Sequence, residues 1–226
     1  MRLTFITFHF TNAISLRDNK KYSEYFESAL NLVSFIAAPI TLGLAVYSYE
    51  ILALIFGKSA ALVGGELLTH LTPAIALSSV LLIINTALEA EGYVKAPIYS
   101  MVVGGGVKAL VGFLLIGDQR FGILGAPVGT VFSFGCALSV SLIYYYLKTK
   151  RSSMRITTPL SFYLASAAAA VGSKGIYLPL KAIAGELFAL LACVLLCALI
   201  YLGFSMLFAL LGGRKTSFLS KYTKLA

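Results

Sequence analysis

Charge is what this sequence has least of. Only 12% of its 226 residues are charged while 59% are hydrophobic, and the charged share is about half that of a typical globular protein. So small a polar complement cannot cover a water-facing surface, which excludes a soluble domain, and so apolar a chain is not a disordered one. Histidine and cysteine are equally sparse, with two and three residues. Cys136, Cys193 and Cys197 all fall inside apolar runs, where a disulfide framework is not expected. Cys193 and Cys197 stand one helical turn apart, but no histidine or carboxylate in their run completes a metal site, so no metal is assigned and small packing residues are the better reading. The chain has no G-x-S-x-G, no phosphate-binding loop and no H-E-x-x-H. Gly104-Gly105-Gly106 lies in an apolar run, follows no strand and lacks the GK[ST] ending. No catalytic residue and no cofactor is therefore expected, and the chain does not read as an enzyme.

What the sequence does have is long apolar runs. A helix needs about 20 residues to cross hydrocarbon, and with charged residues taken as fences, six runs reach that length. They are residues 28–49, 67–88, 96–117 (interrupted only by Lys108), 121–147, 158–180 (interrupted only by Lys174) and 187–213. They far exceed the ~10 residues of a barrel strand and show no alternation of period two. The expected fold is all-α, a polytopic membrane bundle of six transmembrane helices, and the mean hydropathy of +0.89 agrees.

Lysine and arginine then set the orientation, because they gather on the cytoplasmic side of short loops. Of the 18 basic residues, twelve fall on one face if residue 28 starts inside: Arg17, Lys20, Lys21, Lys95, Lys148, Lys150, Arg151, Arg155, Arg214, Lys215, Lys221 and Lys224. Only Lys58, Arg120 and Lys181 fall on the other. Both ends of the six-span bundle are therefore expected in the cytoplasm. Tyr22, Tyr25, Tyr47, Tyr49 and Tyr144 to Tyr146 mark the interfaces. The net charge of +9 then reports topology and an affinity for anionic membrane lipid, with no need for nucleic acid.

The run from Leu3 to Leu16 is too short to span and leads straight into Arg17-Asp18-Asn19-Lys20-Lys21. Thr11-Asn12-Ala13 makes a poor signal-peptide cleavage site. Residues 1–16 are read as the remnant of a truncated transmembrane helix, so that the chain is expected to be a fragment of a larger transporter-like protein.

Lys108 is the most informative residue. At about 1.5 Å per residue it lies ~13.5 Å from the end of its run, near the middle of a ~30 Å core. A charge at that depth either faces a cavity or a partner acid, or bridges helix ends to carbonyls as a structural residue. Glu66 and His70 stand one turn apart and form a possible protonatable pair, while the alternative is a His70 bonded to backbone freed by Pro73. Pro39 and Pro73 each remove a hydrogen bond within a span and are candidate hinges or kinks. Gly105, Ala109 and Gly112 share one face and are expected to pack against a neighbouring helix.

The stretch from Asn12 to Phe56, NAISLRDNKKYSEYFESALNLVSFIAAPITLGLAVYSYEILALIF, closed by Gly57, resembles a segment of the multidrug/oligosaccharidyl-lipid/polysaccharide flippase superfamily. LEAEGYVKAPIYSMVVGGGVKALVGFLLI (Leu88 to Ile116) and GILGAPVGT (Gly122 to Thr130) are similar to a later region of it, with Lys108 at the pattern's lysine. The chain departs from the pattern at Asn12, where proline is usual, and at Glu89-Ala90-Glu91-Gly92. The nearest groups are the stage V sporulation protein B proteins and polysaccharide exporters, with lipid II flippases more distant. The resemblance implies the C-terminal lobe of a two-lobe transporter of the bacterial cytoplasmic membrane. Residues 17–150 would form the lobe core with four helices, and residues 151–226 an appended helix pair with a basic tail. It implies an undecaprenyl-pyrophosphate type lipid-linked glycan as substrate, an N-terminal lobe as partner, and alternating access as mechanism, with Lys108 near the anionic substrate. A non-transporting assembly or scaffold subunit, and a drug or cation antiporter of the same superfamily, stand as the alternatives.

Overall fold

The computed structural model describes residues 19–149 and 157–211. The expected remnant at 1–16 and the basic tail after Leu211 lie outside the described residues, as do Arg17, Lys150, Arg151 and Arg155. Six α-helices and one short 3-10 turn, Gly122–Leu124, make up the described architecture, and no strand occurs among the described residues. The helices are α1 (Asn19–Phe56), α2 (Lys58–Ala90), α3 (Lys95–Gly117), α4 (Gly125–Thr149), α5 (Thr157–Ala184) and α6 (Glu186–Leu211). The all-α membrane-type bundle is as expected; α3 to α6 lie close to their apolar runs, while α1 and α2 extend well beyond theirs.

Glu50 and Glu66 do not end helices. α1 continues through Glu50 to Phe56, and α2 begins at Lys58, nine residues before the run expected at Leu67. The whole connection is Gly57, whose φ of 85° lies in the left-handed region that a side chain disfavours. Its N–H donates to Ala53 O at 3.0 Å, and its own carbonyl accepts from Ala61 N at 3.1 Å, so both helix ends are closed at one residue. Gly185, at φ 84°, joins α5 to α6 in the same way. α1 is 38 residues long, or ~57 Å at 1.5 Å per residue, so it projects well beyond a ~30 Å hydrocarbon core.

Five helical segments are long and apolar enough to cross a membrane: Lys20–Phe56, Lys58–Ala90, Lys95–Gly117, Gly122–Thr149 and Glu186–Met206. α5, expected as the fifth of six spans, falls short on apolarity. Its middle is the run Ser166 to Ser173, SAAAAVGS, followed by Lys174, and small residues there serve packing more than hydropathy.

α1 packs on α2, α3 on α4, and α2 on α4, while the α5–α6 pair packs on α1. At one end of the bundle Tyr22 and Phe26 of α1 meet Ile84 and Leu88 of α2 and Tyr145 of α4. The Phe26 ring lies 6.5 Å from that of Tyr22 and 5.4 Å from that of Tyr145. This end joins the start of α1 and α3 to the finish of α2 and α4, and so gathers Lys20, Lys21, Lys95 and Lys148. Deeper in, Ser141 Oγ of α4 donates to Asn85 Oδ1 of α2 at 2.7 Å, and both residues are buried.

The close contact between α3 and α4 is a ridge of small residues on α4 spaced four apart: Gly125, Gly129, Ser133 and Ala137. A Cβ on Gly129 would lie 3.1 Å from Gly112 N and 3.4 Å from Lys108 O, and one on Gly104 would lie 3.0 Å from Ser133 O. Of the three residues expected to pack, only Gly112 is therefore approached by a neighbour's backbone. A Cβ added at Gly105 or at Gly112 would meet nothing within 4 Å, and Ala109 is exposed, so the close approach to Gly112 is to its backbone.

Candidate functional site

Gly105, Ala109 and Gly112 all help to form a groove. It measures about 930 Å³ and runs between α2, α3 and the start of α4, with walls that include Leu67, Leu71, Phe113 and Pro127. Among the described residues, the only basic or acidic side chain lining it is Lys108, and Thr130 is the other polar contributor. Thr130 is occupied locally, its hydroxyl donating to Ala126 O at 3.0 Å. Lys108 is exposed and forms no hydrogen bond or ion pair among the described residues. Of the expectations for this lysine, a partner acid and a helix-bridging contact are both unmet by the described residues, and the open groove is what it faces. The α4 ridge crosses α3 along Gly104 and Gly112, and Lys108 lies between them on the same stripe, its carbonyl beside Gly129 and its side chain lining the groove.

Glu66 and His70 do not meet through their ionisable atoms in the described arrangement. His70 Nδ1 lies 2.8 Å from the backbone oxygen of Glu66, and both residues are exposed. Nor does His70 take the carbonyl that Pro73 frees. That carbonyl belongs to Thr69, four residues earlier, and the Thr72 hydroxyl donates to it at 2.8 Å. Pro39 frees Phe35 O, which accepts from Tyr201 Oη of α6 at 2.8 Å. Each proline's lost backbone bond is thus replaced by a side-chain hydroxyl, and α1 and α2 run as continuous helices through Pro39 and Pro73.

Sequence reasoning missed a second charged cluster, between α1 and α5. Lys174 Nζ donates to Glu50 Oε1 at 2.5 Å and to Val46 O at 2.9 Å. It also lies 5.2 Å and 5.7 Å from the ring centres of Tyr47 and Tyr177, so that aromatic faces and a carboxylate surround one ammonium. In the sequence Glu50 only marks the end of a run. The signal that could have found the pair was present, since Lys174 is the second of two lysines inside apolar runs and needs a partner. At the α5–α6 turn, Lys181 pairs with Glu186 at 2.7 Å.

No group of three or more metal-ligating side chains occurs among the described residues. The fold defines a multi-helix membrane protein with an open groove in which Lys108 is the single charged side chain among the described residues. Compared with protein-family models, curated proteins and solved structures, the chain matches none.

Proposed function

We propose that this chain forms one lobe of a flippase for lipid-linked glycans, in which the α2–α3–α4 groove receives the anionic headgroup. The observation that carries this reading is Lys108, a lysine at the middle of α3 with no partner among the described residues, set in a mainly apolar groove of about 930 Å³. An unpaired ammonium at membrane depth is costly, and such residues mark substrate pathways. A pyrophosphate would supply the missing counter-charge, and the apolar walls suit the lipid portion of the same molecule. No bond is made or broken in such a process, so the lobe needs to bind and rock against a partner lobe. By resemblance the setting is the bacterial cytoplasmic membrane, with α5 inserted as a span along with the other five helices. Its contacts pair Ala38 with Ser166 and Tyr47 with Ser173, so α5 runs parallel to α1, as the fifth span of an alternating series must.

Access is the test. In membranes carrying the full chain, Lys108→Cys in a cysteine-free background reacts with a small, charged, water-soluble thiol reagent, and excess pyrophosphate-bearing lipid protects it. Resistance to the reagent would refute a hydrated groove, and reaction without protection would refute the substrate assignment.

A further inference from the structure

The groove is polar at one end and apolar at the other. Its wall on α3 runs from Gly105 to Ile116, and its wall on α4 and the turn before it from Ile123 to Thr130. The two walls are antiparallel: a Cβ on Gly125 would meet Ile116 N at 2.7 Å, and one on Gly129 would meet Gly112 N and Lys108 O. Thr130 therefore stands near the level of Lys108, and Ile123 near that of Ile116. Side chains on a helix lean toward its N-terminus, which for α3 is the Lys95 end. Lys108 accordingly leans toward the Gly105 end of the groove, and apolar surface extends the other way, ~12 Å from Lys108 to Ile116 at about 1.5 Å per residue. At Gly112 that surface is bare backbone, with nothing within 4 Å of an added Cβ.

Depth narrows the ligand. Lys108 lies ~13.5 Å from the Gly117 end of α3, near the middle of a ~30 Å core. A phospholipid of the bilayer keeps its phosphate at the interface, about 15 Å from the midplane, and leaves this lysine unmet. The occupant that fits is a lipid whose anionic group has moved to mid-depth. With its chain on the apolar surface toward the Gly57 and Gly122 turns, its head points toward the Lys95 end. That is the direction of lipids in the leaflet on the Lys95 side, and the reverse of those in the other leaflet.

Resting on the flippase reading, we propose that the groove binds the carrier lipid in one polarity, with its pyrophosphate at Lys108 and the adjoining stretch of chain along Ala109, Gly112 and Ile116. The lipid keeps the direction it had in the Lys95-side leaflet and is drawn inward by about half the core, ~15 Å. Thr130 is already bonded to Ala126 O, so the groove reads a charge and a chain. Gly112 is a specificity residue, because a side chain there enters the path of the chain.

Photo-cross-linking in membranes carrying the full chain tests this. Two polyprenyl pyrophosphates are used, one with a diazirine in the first isoprene unit and one with it ~12 Å along the chain, and the products are mapped by mass spectrometry. The near probe is expected on Lys108 to Gly112 and on Thr130, and the far probe on Phe113 to Ile116 and Ile123 to Pro127. Far-probe product on residues 95–104 or 131–149 would overturn the polarity. Gly112→Leu and Gly106→Leu form a matched pair, since neither Cβ meets anything within 4 Å and, of the two, Gly112 alone lines the groove. Gly112→Leu should lower far-probe product about tenfold and Gly106→Leu change it less than about twofold; equal effects overturn the path assigned to the chain. If Gly112→Leu does not accumulate, the map on the native chain decides. Excess phosphatidylglycerol should leave the products unchanged, and competition by it overturns the mid-depth assignment. Protection of Lys108→Cys by pyrophosphate-bearing lipid, with far-probe product on residues 95–104, fails the polarity alone. The expected map without translocation of the glycan lipid fails the transport reading alone, and no specific product from either probe overturns both.

Discussion

Replacing Tyr201 by phenylalanine removes one hydroxyl and keeps the ring, whose centre lies 5.3 Å from that of Phe35. The lost bond is the one to Phe35 O, at 2.8 Å. That carbonyl has no helical donor because residue 39 is proline, so Tyr201→Phe leaves it unsatisfied beside a side chain that is only 2% exposed. Hydrogen bonds between membrane helices average about 0.6 kcal/mol and reach about 1.7, while stranding a buried acceptor costs about 1–3 kcal/mol. A cost of about 1 kcal/mol is therefore expected, close to a fivefold shift in the folded-to-unfolded ratio. The same change in a Pro39→Ala background should cost far less, because the substituted alanine supplies the N–H that proline lacks and Phe35 O regains a partner within α1. The coupling in this double-mutant cycle should approach the full ~1 kcal/mol. Equilibrium unfolding in mixed micelles measures all four corners. Equal costs of Tyr201→Phe with and without Pro39 would refute the claim that this tyrosine serves the proline's carbonyl.

Three further outcomes follow from the packing and the topology. Gly129→Ala places a methyl against the backbone of α3 at 3.1 Å from Gly112 N, where only a helix shift gives relief, and should destabilise by about 1–3 kcal/mol in the same assay; Gly105→Ala, with open space around it, should be neutral or stabilise by up to ~1 kcal/mol through helix propensity. Ser141→Ala removes the donor to buried Asn85 Oδ1 and should cost about 1 kcal/mol, with Asn85→Ala/Ser141→Ala costing less than the sum of the single changes. A reporter fused after Ala226 should read cytoplasmic and one near Arg120 or Lys181 external, and a cytoplasmic signal at Lys181 would take α5 out of the set of spans.

The apolar runs, and with them the class of the protein, were open to reading because crossing a membrane demands a long stretch with few charges. The ends of α1 and α2 were not, for a related reason. Hydropathy reports depth, whereas a helix ends where the backbone turns, and it was Gly57 and Gly185 that marked the turns while Glu50 and Glu66 lay within helices. Glu50 tolerates its position because Lys174, 124 residues later, binds it, a pairing that no local pattern displays. The α3–α4 contact was half legible. The four-residue spacing of Gly125, Gly129, Ser133 and Ala137 stands plainly in the sequence, but spacing on α3 alone could not tell the face of Gly104 from that of Gly105, and the choice between them decides which residues line the groove. Pro39 announced a freed carbonyl, yet the donor, Tyr201, is set by how α6 returns along α1. Lys108 was found by depth, and its lack of a partner among the described residues required the fold.

The flippase reading stands or falls on Lys108 in transport. In sealed vesicles from cells carrying either the native chain or Lys108→Leu at equal abundance, translocation of a labelled polyprenyl-pyrophosphate glycan is measured by its accessibility from the opposite face. Leucine is tolerated at that depth, so the variant should fold and insert, and loss of the groove's one positive charge should lower translocation by about tenfold or more, the equivalent of one charge-assisted contact of ~1.5–3 kcal/mol. Lys108→Arg should keep a substantial part of the rate, because the charge remains. Native rates in the Lys108→Leu variant would contradict the account.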